Sequence, residues 1–345
     1  MDFSKTLIAW YLQNKRDLPW RKTANPYKIW LSEIMLQQTR VAQGLPYFIA
    51  FTEAFPTVND LADASEEQVL KLWQGLGYYS RARNLHTTAK YIAFNLNGKF
   101  PDNYNDLLKL KGVGEYTAAA IASIAYNQPV AVVDGNVFRV LSRFFNITLD
   151  ISLNTTKKEF TKLANALLPK DNASLFNQGL MEFGALQCTP KNPDCNVCVF
   201  NSACLALKYK TVASLPVKLK KTKVTDRFFN YLIIKDKHEK IIVNKKTGKG
   251  IWLNLYEFPL IETITAIPEN EIIELIEKHL DFIPETITLQ NSEAIKHKLS
   301  HQHLHIHFWE ITASMALKEA LDPENIKLLP FPIVLHNFLE SYWNK

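Results

Sequence analysis

At 345 residues and 39.6 kDa the chain is long enough for two domains with separate cores. A formal charge of +6 and a pI of about 8.9 are a mild basic bias, compatible with a polyanionic partner but no case for one by themselves. The opening MDFSKTLIAW lacks the basic-then-apolar order of a signal peptide and no apolar run is long enough to span a bilayer. A soluble, cytoplasmic protein with reduced cysteines is expected.

Residues 3–14 read as a short amphipathic helix, closed by Pro19, which leaves Trp20 and Arg21 on a loop. Such a pair is usually surface packing, and it is also what a site that stacks on and hydrogen-bonds a base would need. The next helix is expected from about residue 27 to 47, with a possible break at Pro46. Its one carboxylate, Glu33, has Ile29, Trp30, Leu36 and Gln37 at helical spacing. A carboxyl on that face loses water, which favours its protonated form and suits a general acid near neutral pH. A single Glu in a helix is more often solvated, so Glu33 alone would carry little.

Residues 56–96 read as further helices, one of them opened by Ser65-Glu66-Glu67. Within them, in WQGLGYYSRARNL at 73–85, Gly75 and Gly77 break the helix and Tyr78 and Tyr79 sit at the break, with Arg81 and Arg83 following. Aromatics at a loop tip backed by arginines suit insertion into a base stack, and an ordinary aromatic helix junction is the plainer alternative.

The chain is organised around residues 110–136, LKGVGEYTAAAIASIAYNQPVAVVDGN. Gly112 and Gly114 let the backbone turn sharply and lie against a ligand, and the helix that follows points unpaired N–H groups toward an anion. With the segment from Leu107 as the preceding helix, this resembles a helix-hairpin-helix that grips one DNA strand by its backbone. The apolar run 130–133 then ends in Asp134-Gly135-Asn136, and Asp134 is placed to cap the next helix. Most aspartates before a helix are only caps.

Two helical patterns occupy 157–187, and the cysteines follow. Cys188, Cys195, Cys198 and Cys204 stand at C-x6-C-x2-C-x5-C, all four within seventeen residues. Four thiolates in so short a loop are a metal or cluster site. Structural zinc generally uses two paired knuckles, whereas one pair here is flanked by two singles, so a [4Fe-4S] cluster is favoured over zinc. A zinc deaminase is excluded, because no His-x-Glu occurs.

Six lysines between Lys208 and Lys223, with Pro216 among them, read as a basic, exposed linker. Beyond it, strands are expected at 227–234 and 240–244, a helix at about 270–280, strands near 286–289, 293–299 and 303–311, and a helix from about 332. That is a small α/β domain. Five of the nine histidines cluster at 297, 301, 303, 305 and 307. His303, His305 and His307 alternate with Leu304, Ile306 and Phe308, so one polar strand face is a better reading than a zinc site.

Together, LPWR at 18–21, PYKIWLSEIMLQQTRV at 26–41, WQGLGYYSRARNL at 73–85, GVGEYTAAAIASIAY at 112–126, VVDGNVFRVLSR at 132–143 and the cysteine spacing resemble the adenine DNA glycosylases of the MutY type. The resemblance spans nearly the whole chain. It implies a mainly α, two-lobed helix-hairpin-helix glycosylase domain with an iron–sulfur cluster loop at 1–205 and a basic linker at 206–224. A C-terminal α/β Nudix-like lesion-recognition domain would fill 225–345. It also implies base-excision repair by a monomer. The substrate would be double-stranded DNA, and the adenine removed would be one mispaired with 8-oxoguanine or guanine.

Carried over by position, Glu33 would protonate the adenine ring and Asp134 would stabilise the sugar cation, with Asn136 supporting Asp134 or the attacking water. Glycosidic cleavage wants one carboxyl protonated and one ionised, and a helix start favours the charge on Asp134. Tyr116 stands where the bifunctional endonuclease III-type enzymes carry a nucleophilic lysine, so cleavage would stop at an abasic site. Trp20, Arg21, Leu36 and Gln178 would line the adenine pocket. Gln38, Thr39, Gly112 and Gly114 would contact DNA. Tyr78 would wedge beside 8-oxoguanine, and Ser300 and His301 would contact it. Lys111 replaces the usual hairpin proline, Leu299 stands where the family often has Phe, and the glutamate-rich Nudix box is missing, so no pyrophosphate hydrolysis is expected. A bifunctional lyase would want lysine at 116. A non-catalytic iron–sulfur DNA-binding protein would have no use for both carboxylates.

Overall fold

Asp2 opens the first helix, Phe3–Asn14, by accepting from Lys5 N at 3.1 Å, and Pro19–Arg21 winds into a single 3-10 turn. The computed structural model describes residues 2–219 and 223–344. They fall into two units: Met1–Asp63 with Asn84–Lys221, which is helical, and Ala64–Arg83 with Thr222–Lys345, which is α/β. Among the described residues no helix is long and apolar enough to cross a membrane.

In the helical unit, Asn25 caps Pro26–Met35 with Oδ1 2.9 Å from Tyr27 N. The sequence favours one helix from 27 to 47 with a break at Pro46. Instead the helix stops at Met35 and a second one, Val41–Ala54, begins after a turn in which Gln38 takes φ +56°, with Pro46 inside it. Packing decides the corner. A Cβ on Gly44 would stand 2.8 Å from Leu36 Cδ2, so the second helix packs closely on the Leu36 side chain at that point.

One core of this unit gathers Phe3, Leu7 and Tyr11 of the first helix with Val137 and Leu141 of Gly135–Phe144 and Phe176, Leu180 and Phe183 of Ala173–Leu186. A smaller cluster joins Ala119 and Ala120 of Glu115–Tyr126 to Val132. The stretch after Cys204 is not free chain. Leu205–Lys208 is a helical turn, Arg143 Nε donates to Leu215 O at 3.0 Å, and Ile151 N donates to Val217 O at 2.9 Å. Buried Leu215 anchors it, so the expected exposed linker is tied down at least to Val217. Lys220, Lys221 and Thr222 lie outside the described residues.

The α/β unit is built on two long strands, Thr225–Lys235 and Gln302–Thr312, parallel from Thr225 opposite Gln302 to Lys235 opposite Thr312. Leu260–Thr263 and Ile241–Ile242 pair antiparallel with the first, and Thr286–Leu289 and Ile295–Lys298 with the second. Ala320–Leu321 extends the sheet beyond Ile241–Ile242. Ile272 and Ile276 of the helix Glu269–His279 cover Leu232, Ile234, Trp309 and Ile311. On the other face, Phe338 of Ile333–Trp343 stacks on Phe308 with ring centres 3.6 Å apart. Burial from both sides is why RFFNYLII reads as a nearly continuous apolar run.

Residues 64–83 group with these strands although they lie far ahead of them in the chain. Ser65 and Gln68 form a full capping box on Glu66–Leu72, as the Ser-Glu-Glu run suggested.

Candidate active site and cysteine loop

Glu33 is buried in Pro26–Met35, and Tyr116, one residue into Glu115–Tyr126, donates its hydroxyl to Glu33 Oε2 at 2.6 Å. Burial pushes the Glu33 carboxyl up to about 7, against the Tyr116 hydrogen bond and the Arg21 charge that pull it down. The Asp134 charge raises it further. Burial and the two nearby carboxylates hold the Tyr116 phenol well above its ordinary value, so it stays a neutral donor.

Asp134 is the N-cap of Gly135–Phe144. Its Oδ1 accepts from Val137 N at 2.8 Å and its Oδ2 from Asn136 Nδ2 at 2.7 Å. Two N–H donors suit a carboxylate. The helix-start argument anticipated only a downward pull. Burial works the other way and the net direction is up, opposed by the cap bonds, Asn136 and the Arg139 charge. Asn136 is held in turn: its Oδ1 accepts from Arg139 Nη2 at 2.8 Å, and a Cβ on Gly184 would lie 2.6 Å from Asn136 Cβ.

Arg21, expected beside the base, is held by a group that sequence reasoning missed. Glu182 is 1% exposed and accepts from Arg16 Nε at 2.9 Å and Nη2 at 2.6 Å, and from Arg21 Nη1 at 2.7 Å and Nη2 at 2.6 Å. Although burial opposes it, those bonds hold its carboxyl down at about 2. Both terminal nitrogens of Arg21 are thus engaged, and its guanidinium lies over Tyr11. Tyr11 donates to Gln178 Oε1 at 3.1 Å. Trp20 is buried edge-on against Phe48, with ring centres 5.0 Å apart, and Leu36 is half-buried. The signal for Glu182 was present in MEFGAL, a lone acid on an apolar helix, as at Glu33.

The hairpin is built as the glycines suggest. Tyr104–Leu107 leads into a turn where Gly112 takes φ +78°, and a Cβ there would stand 2.8 Å from Asn84 Cβ. Gly114 starts Glu115–Tyr126 with no side-chain cap, which leaves that end to an outside acceptor. Gln38 is exposed in its turn, and Thr39 Oγ1 donates to Gln37 O at 3.3 Å.

All four cysteines line one cavity of about 30 Å³ together with Val140, Arg143 and Phe183. Cys188 and Cys198 also pack against the core that holds Phe3, Leu141 and Phe183. Arg143 closes the loop by donating to Thr189 O at 2.7 Å and Pro190 O at 3.1 Å. Arg139, a second residue that sequence reasoning missed, donates Nε to Cys188 O at 2.7 Å while it holds Asn136. Among the described residues no three His, Cys, Asp or Glu side chains form a group that could hold a single metal ion as they stand.

In the α/β unit, the Tyr78 hydroxyl lies 2.6 Å from Ser300 Oγ. Ser300 and His301 form the tip of a turn closed by Leu299 N donating to Gln302 O at 2.8 Å. His303 and His305 share one strand face and approach Asp226 at 3.7 and 2.7 Å, while Leu304, Ile306 and Phe308 are buried behind them. His297 lies instead beside Trp252.

A family model described as "HhH-GPD superfamily base excision DNA repair protein" matches residues 31–169, and a NUDIX domain model matches residues 230–341. The chain is similar to the adenine DNA glycosylase of Buchnera aphidicola subsp. Schizaphis graminum, 37% identical over 309 residues, 88% of this chain and 86% of that one. It is 45% identical over 213 residues to the adenine DNA glycosylase of Homo sapiens, 59% of this chain and 39% of that one. Among solved structures, a thermostable thymine-DNA glycosylase is similar with a TM-score of 0.55 at 31% identity, over 60% of this chain and 95% of that one.

Proposed function

The chain belongs to the adenine DNA glycosylases, and we propose that it removes adenine mispaired with 8-oxoguanine or guanine from double-stranded DNA, leaving an abasic site. The observation that carries this is the buried Glu33–Tyr116 pair with Asp134 close enough to act on its proton. Glu33, with a pKa near neutrality, gives a proton to the adenine ring. The C1′–N9 bond then breaks, its electrons leave with the base, and the Asp134 carboxylate balances the developing sugar cation. Asn136, bonded to Asp134 Oδ2, keeps that carboxylate aimed, and water completes the hydrolysis. Tyr116 offers a neutral phenol and no amine, so no Schiff base forms and strand scission does not follow.

The uncapped helix end at Gly114 supports a grip on the DNA backbone, and the Tyr78–Ser300 pair supports reading of the purine opposite the adenine. Cys188, Cys195, Cys198 and Cys204 would hold a [4Fe-4S] cluster. Four thiols lining one cavity, with one C-x2-C pair flanked by two single cysteines, support that reading. Such a cluster supplies cross-linking of the loop, and the acid–base chemistry stays with Glu33 and Asp134.

The test uses duplexes carrying adenine opposite 8-oxoguanine, guanine or thymine, analysed with and without alkali. Breaks should require alkali and be fastest opposite 8-oxoguanine. Glu33→Gln and Asp134→Asn should each bind the mispair and fail to excise, since general acid catalysis alone is worth ~10²–10⁴-fold. Excision by Glu33→Gln at near wild-type rate would sink the assignment, and breaks without alkali would favour a lyase.

A further inference from the structure

Tyr78 stands in a backbone conformation that only its surroundings can hold. Its φ is +50°, and the neighbouring Gly75 and Gly77 take +98° and +77°. A bulky residue keeps a left-handed φ only where its neighbours over-determine it, and such sites gather where ligands are clamped. Inside the loop, Trp73 Nε1 donates to Gly77 O at 3.0 Å and Arg81 Nη2 to the same carbonyl at 3.1 Å. The Arg81 guanidinium lies 5.3 Å from the ring centres of both Trp73 and Tyr78.

The helix that feeds the loop, Glu66–Leu72, is tied along its length to C-terminal residues of the same unit. Glu66 accepts from Asn254 Nδ2, and Glu67 Oε1 accepts from Lys245 Nζ at 2.8 Å and from the Tyr256 hydroxyl at 2.9 Å. Lys71 Nζ donates to Lys327 O and Leu329 O at 2.6 and 3.1 Å, and Gln74 Oε1 accepts from Phe331 N at 3.1 Å. Past the loop, Arg83 Nη1 donates to Leu253 O at 2.9 Å. The strained loop is therefore anchored on both sides.

We propose that Glu67, through Lys245 and Tyr256, is a positioning residue for lesion discrimination: it fixes the helix that delivers Tyr78 to Ser300. This rests on the reading that Tyr78 and Ser300 face the purine opposite the adenine. Discrimination is a difference of binding energies between two purines, and a reading loop that must first be ordered spends part of that difference. Glu67 and Lys245 are each about two-fifths exposed, so screening keeps the effect modest, about two- to five-fold in preference.

The experiment compares single-turnover excision of adenine opposite 8-oxoguanine and opposite guanine by the full chain. Glu67→Lys should lower the ratio of the two rates about two- to five-fold while the rate opposite guanine stays within about twofold. The charge-swapped pair, Glu67→Lys with Lys245→Glu, should recover the ratio, which a general folding defect would not allow. Tyr78→Ala and Ser300→Ala separate the layers of the argument. If neither lowers the ratio, the reading of those two residues fails and takes the proposal with it. If they do and Glu67→Lys does not, or if the swap restores nothing, the proposal alone is overturned.

Discussion

Tyr116 donates its hydroxyl to Glu33 Oε2 across 2.6 Å, and each group sets the proton of the other. The carboxylate keeps the phenol protonated, and the phenol restrains the rise that burial imposes on the acid. The pair closes a path of 83 residues along the chain.

Tyr116→Phe removes that restraint. The Glu33 pKa, about 7 in the intact pair, should rise further. An acid catalyst works while protonated, so the wild-type rate falls as pH rises through about 7 and the variant holds its rate to higher pH. Single-turnover rates across the neutral and alkaline range check this. A limb that does not move would show that the hydroxyl leaves Glu33 in the working enzyme.

The same burial makes Glu33 a liability for stability. Its folded pKa lies near 7, above the ordinary 4.5. The folded state therefore holds a proton that the unfolded state releases between those values, and stability falls as pH rises through that window. Glu33→Gln should abolish excision and yet melt above wild type at alkaline pH, with the gap closing toward pH 4.5. Each 1 kcal/mol recovered is worth about 1–2 °C in a chain of 345 residues. Thermal unfolding at both ends of the window decides it, and a gap independent of pH would point to some other cause.

Gly184 should tolerate no side chain. A Cβ there meets Asn136 Cβ at 2.6 Å and its carbonyl oxygen at 3.0 Å, and backbone cannot swing aside as a flexible side chain can. Gly184→Ala should displace Asn136 from Asp134, slow excision by about tenfold or more, and cost about 1–3 kcal/mol of stability. Rates and melting of the variant test this together, and an unchanged rate would show that Asn136 is dispensable.

The cysteine loop should separate from the chemistry. The purified chain is expected to be brown, with about four irons bound by its thiolates. Cys198→Ser should lose iron and melting temperature while the pH at which excision falls stays in place, because Cys198 packs on the core around Phe3 and Phe183, and the groups that act on the Glu33 proton are Tyr116, Asp134 and Arg21. One zinc per chain and no iron would overturn the cluster.

Much of this was legible along the chain because its causes are local. Ser65 and Asp134 cap their helices through groups three residues away, and the alternation at His303–Phe308 follows from the pleat of a strand. The helix break was misplaced for the opposite reason. Pro46 is a local signal, but the turn at Gln38 accompanies the packing of Gly44 on Leu36, which is a matter of tertiary contact. Glu182 escaped notice because a lone acid on an apolar face looks alike whether or not two arginines meet it from 166 and 161 residues away.

The order of residues by itself determined the caps, the hairpin glycines, the cysteine spacing and the family likeness, since each depends on neighbours within a turn or on type at a fixed offset. Only the tertiary structure decided the proton on Glu33, the lift on Asp134, the engagement of Arg21 by Glu182, and the grouping of residues 64–83 with the C-terminal strands. Those depend on burial and on charges brought together across long stretches of chain. A carboxyl's pKa follows the water it loses and the donors it meets, and neither exists until the chain has closed around it.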